Sequence, residues 1–359
     1  MLEQPGTGLD VIEQEGNREV SQFLDDRARS RLKAIVDDGT PPNTKAAYAS
    51  DMRYFWSWAS AIGWTDEPVL PVPVEIVVRF ITDHMDGLDD DVEDDLIARG
   101  AKAHRGPLAI STIDRRVSTL SSFHRVKGLP NPCADPGIVK LMSKSRKAAA
   151  RRGYRPRKKK AVIKSVLDAM IETTQENRLI DIRDRALMLF GWASGGRRRS
   201  EIASAVIDSL EEVEGNYVYH MGITKTNQEG ADIPVPISGR AAIALREWLV
   251  ASGIKRGPLF RTVDRHGNLS VGAMNDKTVA RIIKARVRKA GFDPATFSGH
   301  SLRSGFLTEA GIQNVNLLEA MKMSLHKTVQ VASGYHQSGG ILHNEAASML
   351  DDDPDRQAA

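Results

Sequence analysis

The chain has 359 residues, of which 41% are hydrophobic and 27% charged, with a formal net charge of +4. That length exceeds one ordinary core and calls for two domains, and a single cysteine, Cys133, excludes a disulfide framework and a cysteine-rich zinc site. No stretch is apolar for long enough to span a bilayer, and the opening "MLEQPGTGLDVIEQEGNREV" lacks the basic-then-apolar order of a secretion signal, so a soluble protein of the reducing cytoplasm is expected.

Residues 1–19 are polar and glycine-bearing and read as a flexible tail. After "PPNT", Asn43 or Thr44 is placed to cap a helix in which Tyr48, Met52, Phe55, Trp56, Ala59 and Ile62 recur at helical spacing. "PVEIVVRFITDHM" predicts a second helix, and the acidic "LDDDVEDDLIARG" reads as a solvated excursion. Ser111 is placed to cap "TIDRRVSTLSSFHRVKG", with Ile113, Val117, Leu120 and Phe123 turned inward and Arg115, Arg116 and Lys127 on the outer face. An all-helical domain over 20–129 follows. "GLPNPCADP" then interrupts with repeated proline and predicts a hinge, with Asp135 capping a helix from Pro136 that runs into basic sequence, so 130–160 reads as linker and basic segment.

The second domain, 161–337, begins with helices at "VIKSVLDAMIETT" and "IRDRALMLFGWA". Directly after that apolar helix, "SGGRRRSEI" sets two glycines, three arginines and a glutamate at the edge of a core. The period then becomes alternating in "GNYVYHMGITKTNQEGADIPVPIS", whose polar turn "TKTNQEG" predicts a small antiparallel sheet. Helices resume at "RAAIALREWLVAS", "DKTVARIIKARVRKAG", "HSLRSGFLTEAG", "NLLEAMKMSL" and "TVQVASGY". The expected fold class is mainly α: an all-helical first domain and an α+β second domain with that small antiparallel sheet. Cationic stretches recur along the chain at "RRVSTLSSFHRVK", "SKSRKAAARRGYRPRKKK" and "KTVARIIKARVRK", a pattern that suits a long anion such as a nucleic acid.

Arg198, Lys225, His300, Arg303, His326 and Tyr335 form a set whose chemistry fits attack on a phosphodiester. Two guanidiniums hold the non-bridging oxygens of a phosphoryl transition state in a fixed fork, and no metal is then required. His300 and Arg303, three apart, share one face of a helical turn. A tyrosine hydroxyl, with a pKa of about 10, must lose its proton as it attacks, and a nearby imidazole or cationic cluster lowers that barrier. The departing 5′ oxygen must gain a proton, a task suited to a lysine on a β-turn. Taken singly, each residue has an ordinary use: Lys225 as a solvated hairpin lysine, the histidines as polar or capping groups, Tyr335 as a packed ring with its hydroxyl at the surface, and Arg303 as a partner of Glu309 or another neighbouring carboxylate. Arg197 and Arg199 read as solvated neighbours. The order of the set is what distinguishes it.

That order, Arg, Lys, His-x-x-Arg, His, Tyr, resembles the tyrosine recombinase (phage integrase) family. "GRRRSEI" is similar to its Gly-x-Arg-x-Ser-Glu box, which maps to Arg198 and Glu201, "TKT" to its hairpin lysine, Lys225, and "GHSLRSGF" to its His-x-x-Arg box, His300 and Arg303. His326 stands nine residues before Tyr335, the family's usual distance from last histidine to nucleophile. "NTKAAYASDMRYFWSWASAIGW" and "AISTIDRRVSTLSSFHRVKGLPNP" resemble DNA-facing helices of the Cre-type branch, which carries a tryptophan where this chain has His326. "ILHNEAASMLDDDPD", within 338–359, resembles the terminal helix that such proteins dock on a neighbouring subunit.

The resemblance implies the tyrosine recombinase catalytic fold and a site-specific recombinase that cuts and rejoins duplex DNA through a 3′-phosphotyrosine and a Holliday junction. It implies no cofactor and no metal, a dimer on one inverted-repeat site and a tetramer in the synaptic complex. Glu201 then orients Arg198 or a neighbouring histidine; Lys277 and Arg281, one turn apart, are expected to enter a groove, as are Arg115 and Arg116, with Thr44, Lys45, Thr112 and Arg155 on the DNA backbone. Two alternatives remain. A type IB topoisomerase forms the same covalent bond but only relaxes DNA, and a DNA-binding regulator would carry the site idle.

Overall fold

The computed structural model of the protein describes residues 25–155, 159–176, 178–222 and 231–339. The chain divides into two compact units, Met1–Pro156 and Arg157–Ala359. In the first, the helices are α1 (Asp26–Gly39), α2 (Pro42–Ala61), α3 (Val74–Asp86), α4 (Asp90–Ala98), α5 (Ile110–Val126) and α6 (Pro136–Arg151). Pro42 supplies the fixed backbone angle of a helix entry, so α2 starts there with no side-chain cap from Asn43 or Thr44. Likewise α5 starts at Ile110, one residue ahead of the expected Ser111 cap. The core gathers Tyr54, Phe55, Trp58, Phe80, Ile81, Leu96, Ile113 and Leu120. Trp58 is fully buried, whereas Tyr48, expected inward, is exposed.

Three expectations for this unit need correction. The acidic segment is a helix, α4, that buries Leu96 and turns Glu93 inward, where it accepts from Lys102 Nζ at 2.6 Å and from the Gly106 N–H at 3.0 Å. Arg116 does not face outward for DNA: its guanidinium carbon lies 3.2 Å from the Tyr54 ring centroid, where the ring face attracts the cation. Arg115 stays half exposed but is ion-paired with the buried Asp51, which also accepts from Thr119 Oγ1 at 3.0 Å. Finally, the proline-rich segment is not where the units part. Asp135 caps α6 by accepting the Gly137 N–H at 2.7 Å, and Ile138 and Met142, one turn apart on α6, enter the first core. The division falls after α6, because that apolar stripe fastens the helix to its predecessors.

Two buried histidines give this unit a pH dependence. His84 donates from Nδ1 to the Phe80 carbonyl at 2.6 Å and accepts from the Tyr54 hydroxyl at Nε2, 2.8 Å away, so its neutral form satisfies both partners. Burial lowers its pKa from 6.5 to about 4. His124 is built the same way, with Nδ1 on Leu120 O and Nε2 accepting the Val72 N–H, and burial lowers its pKa too. The folded-state values lie below the unfolded ones, so the unfolded chain takes up the protons first and stability falls as pH drops from 6.5 toward 4. For His84 the loss is about 3 kcal/mol. Protection factors of α2 and α3 amides, taken relative to the intrinsic exchange rate at each pH, are expected to fall across that range in the full chain, and to fall less in His84→Gln.

The second unit begins with α7 (Lys164–Glu172), α8 (Leu179–Ala193) and α9 (Arg199–Ala203). It continues through β1 (Leu210–Val213), β2 (Asn216–Met221), β3 (Ile233–Ile237) and α10 (Arg240–Ser252), then β4 (Arg261–Val263) and β5 (Leu269–Ala273). It closes with α11 (Asp276–Lys289), α12 (Ser301–Ile312), α13 (Leu317–Ser324) and α14 (Val329–Gly339). β1, β2 and β3 form an antiparallel sheet in that order, and β4 pairs with β5 in a separate hairpin. On β2, Tyr217, Tyr219 and Met221 alternate into a core shared with Phe190, Trp248, Phe260, Ile283 and Leu302. The fold class is as the sequence indicated, mainly helical with small antiparallel sheets. No helix among the described residues is long and apolar enough to cross a membrane.

A buried ion network fixes α11 to α8. Arg286 donates from Nε to Asp184 at 2.7 Å, from Nη2 to Asp181 at 2.7 Å and from Nη1 to the Thr173 carbonyl at 2.7 Å. Every carboxylate is thus met by fixed donors, the condition under which buried charge is tolerated. The opposite face of α11 carries Lys277 and Arg281, both exposed.

Candidate active site

The site begins where α8 ends. Gly195 and Gly196 have φ of +95° and +72°, a backbone region that other residues seldom enter. They also abut other chain segments: a Cβ on Gly195 would lie 2.1 Å from the Met323 carbonyl oxygen, and one on Gly196 would lie 2.5 Å from the Arg303 Cα. The glycines let the chain turn against α12 and the end of α13, and this turn delivers Arg198 to the start of α9. There Glu201 accepts the Arg198 backbone N–H at 3.0 Å and its Nη1 at 2.5 Å, so the carboxylate holds both the helix start and the guanidinium.

Arg303 projects from the first turn of α12 and is 2% exposed. Its Nη1 donates to the Gly196 carbonyl at 3.1 Å and its Nη2 to His326 Nδ1 at 3.3 Å. Glu309 is not its partner: that carboxylate accepts the Lys164 N–H and the Gln313 side chain. Because a guanidinium only donates, Nδ1 of His326 must be an acceptor, and the Ser324 hydroxyl, 2.8 Å away, donates to it as well. The ring proton therefore sits on Nε2. Burial, then the neighbouring Arg303, Arg198, His300 and Arg197, lower the His326 pKa to about 4 and keep the ring neutral at neutral pH. Burial, then Arg198 and Arg197, lower Arg303 to about 9, partly offset by Glu201 and Tyr335; it stays charged. Leu325, which ends α13 just before His326, has φ of +55°, a local strain of the kind found at functional sites.

α14 packs along α12 in the same chain. Its last residue, Gly339, makes this approach possible, since a Cβ there would lie 1.9 Å from the Thr308 carbonyl oxygen. Tyr335 is half-buried against Leu307, Ala310, Ala320 and Ala332, and its ring centroid stands 6.3 Å from that of His300. Among the described residues its hydroxyl has no hydrogen-bond partner. His300 is exposed as a residue, yet its pKa is lowered by the solvent its ring loses, then by Arg303 and Arg198. A neutral imidazole beside an uncommitted phenol can take its proton.

The structure thus brings together Arg198, Glu201, His300, Arg303, His326 and Tyr335. Lys225 lies outside the described residues; the strands on either side of it, β2 and β3, pair with Met221 opposite Ile233. Of the residues expected on DNA, Lys277 and Arg281 share an exposed face, and Arg281 Nη2 rests on Thr278 Oγ1 at 2.8 Å. Arg155 is exposed and donates to the Ala150 and Tyr154 carbonyls. Thr44, Lys45 and Thr112 are half-buried. The sequence reading missed Ser324 and misplaced Arg197, which is not solvated but 1% exposed. No group of three His, Cys, Asp or Glu among the described residues is placed to hold a metal ion.

Comparison with known proteins places the family and the fold. A model of the phage integrase family matches residues 160–339. The chain is 31% identical over 334 residues to the integrase/recombinase xerD homolog of Selenomonas ruminantium, covering 90% of each. It is 25% identical over 277 residues to recombinase cre of Escherichia phage P1, covering 73% of this chain and 78% of that one. Among solved structures, XerH site-specific recombinase in a post-cleavage complex with palindromic difH substrate aligns with a TM-score of 0.58 at 14% identity, over 98% of this chain and 92% of that one. The Tn1549 transposon integrase bound to transposon right end DNA aligns with a TM-score of 0.57 at 13% identity, over 88% and 97%. These two structural matches speak for the fold.

Proposed function

The chain belongs to the phage integrase family and is a site-specific recombinase that cuts and rejoins DNA; we propose that Tyr335 is its nucleophile and that the residues gathered around it carry the steps. The observation that carries this reading is the packing of α14 on α12 within one chain, which holds the Tyr335 ring 6.3 Å from His300 beside Arg303 and His326. Arg198 and Arg303 grip the non-bridging oxygens of the scissile phosphate, and His326 donates to one of them from Nε2. His300 takes the phenolic proton as the Tyr335 oxygen bonds to phosphorus. The bond from phosphorus to the 5′ oxygen breaks, and Lys225 protonates that oxygen. Glu201 orients Arg198. The products are a 3′-phosphotyrosine and a free 5′ hydroxyl.

Exchange of one ester for another keeps the bond energy, so a 5′ hydroxyl from a second duplex reverses the step with new connectivity. A Holliday junction follows, made by four protomers acting in pairs on inverted-repeat sites. The palindromic substrate in the XerH complex is consistent with such sites. The segment 342–350, expected to dock on a neighbouring protomer, lies outside the described residues. The cytoplasm is the compartment in which the chain meets its DNA.

A pool of nicked duplexes with a randomised segment tests the reading. At a correct site cleavage next to the nick releases a short strand and traps the enzyme, and the trapped DNA survives denaturation and is sequenced. Wild type is expected to yield one recurrent sequence and Tyr335→Phe none; adducts formed by Tyr335→Phe would refute the assignment.

Lys277 and Arg281 read bases from the exposed face of α11, while Thr44, Lys45, Thr112, Arg115 and Arg155 contact phosphates. On the selected site, Lys277→Ala and Arg281→Ala are each expected to cost about 1–3 kcal/mol and to relax selection at a few positions. Arg155→Ala is expected to weaken all sequences alike and to flatten the salt dependence. Equal losses on selected and random DNA for all three variants would argue against base reading by α11.

A further inference from the structure

We propose that Arg197, which lies outside the catalytic set, is a positioning residue: its buried guanidinium fastens the carbonyl end of α13 that precedes His326 to the end of β2 that leads toward Lys225. The inference rests on the reading of the site given above. Arg197 is 1% exposed, among the largest fully buried side chains. Its Nη2 donates to the Met323 carbonyl at 2.5 Å and its Nη1 points to Met221 Sδ at 2.8 Å. Met323 belongs to the last turn of α13, where carbonyls have no partner within the helix, so the guanidinium caps a helix end with a positive charge. Two residues later the chain passes through the left-handed Leu325 and presents His326. Met221 is the last residue of β2, four residues before Lys225.

Room for this side chain comes from Gly195, where a Cβ would lie 2.7 Å from Arg197 Nη2. The site also bears a cost for it. Arg197 Nε has no hydrogen-bond partner among the described residues, and burial lowers the pKa to about 10. A buried cation with one idle donor is an expensive way to fill a core position that an apolar side chain would fill. Its charge is balanced by Glu201, which interacts with both Arg197 and Arg198. Arg197 therefore couples three parts of the fold: the Arg198 turn, the segment that presents His326 and the end of β2. It also adds a positive charge facing His326, alongside Arg303 and Arg198.

The test uses the full chain and the duplex recovered by trapping. In Arg197→Met, single-turnover formation of the covalent adduct is expected to fall about 100-fold, the scale of a small misplacement of reacting groups, with duplex binding within about twofold of wild type. The NMR titration of His326, assigned with His326→Gln, is expected to move to higher pH as a facing positive charge is lost. Arg197→Lys retains the charge but not the two-ended reach, so it should leave the titration in place and cleave at a rate between the two. Wild-type adduct formation by Arg197→Met, or a loss proportional to lowered thermal stability with the His326 titration unmoved, would overturn the proposal. If Arg197→Met does not fold, Arg197→Lys cleaving at the wild-type rate would overturn it instead, and slower cleavage with an unmoved titration would support it. Failure of the underlying reading is separate: it would show as adducts formed by Tyr335→Phe.

Discussion

Arg303→Lys is expected to form the covalent adduct about 100- to 1000-fold more slowly than wild type, the loss typical when one preorganised donor to a developing oxyanion is removed. The arginine does three things that a lysine cannot combine. One arm donates to the Gly196 carbonyl and another to His326 Nδ1, which leaves the planar group aimed at the substrate side in one orientation. An ammonium reaches only one of these acceptors, and the other loses its charged donor. His326 then keeps only the Ser324 hydroxyl of the two donors that hold its ring proton on Nε2, so a second contact to phosphate weakens together with the first. Binding to the selected duplex should change little, since most phosphate contacts lie elsewhere. Adduct formation within about threefold of wild type would mean that the fork of donors carries no part of the barrier.

Gly196→Ala is expected to destabilise the second unit and abolish cleavage, whereas Gly267→Ala should be mild. Both glycines have positive φ, +72° and +87°, so both substitutions bear the left-handed strain of about 1–2 kcal/mol. Only Gly196 also faces backbone: its Cβ would lie 2.5 Å from the Arg303 Cα and 3.1 Å from both the Leu302 and Arg303 carbonyl oxygens, while the Gly267 Cβ meets nothing within 4 Å. Backbone cannot rotate away as a side-chain end can, so overpacking adds about 1–3 kcal/mol or pushes α12 back, and Arg303 with it. Denaturant unfolding of the two variants, read beside adduct formation, checks the difference. Equal destabilisation by the two substitutions would mean that the close approach at Gly196 is not what requires a glycine there.

The candidate site is legible in the sequence because phosphoryl chemistry dictates the residue types and the chain keeps them in order. The sequence points to Arg198, His300, Arg303, His326 and Tyr335, and the packing of α12, α13 and α14 brings them together. The helices of the second unit were legible from apolar spacing for the same reason that they pack, since the periodic face is the buried one. What escaped depended on partners distant in the chain. Arg197 looks like its neighbours in "GRRRSEI", and only the arrival of the Met323 carbonyl and Met221 makes its environment a buried one. Arg116 was read onto the outer face because Tyr54, sixty-two residues earlier, was not known to lie beneath it. Glu93 looked solvated among acidic neighbours until Lys102 folded back to it. The prolines at 130–136 punctuate a turn and a helix start as readily as a hinge, and the apolar pair Ile138 and Met142 settles which. The β4–β5 hairpin escaped because a three-residue strand has too few positions to show alternation.

The central claim is that one chain supplies both the phosphate cradle and the phenol that attacks within it. Mixing two inactive variants, Tyr335→Phe and Arg303→Ala, on the selected duplex tests it directly. If the phenol serves the arginines of its own chain, each protomer in every mixed assembly holds a broken site, and no covalent adduct is expected at any mixing ratio. Adduct formation restored in the mixture, carried by the Arg303→Ala protomer, would mean that the tyrosine crosses to a neighbour and would contradict the account.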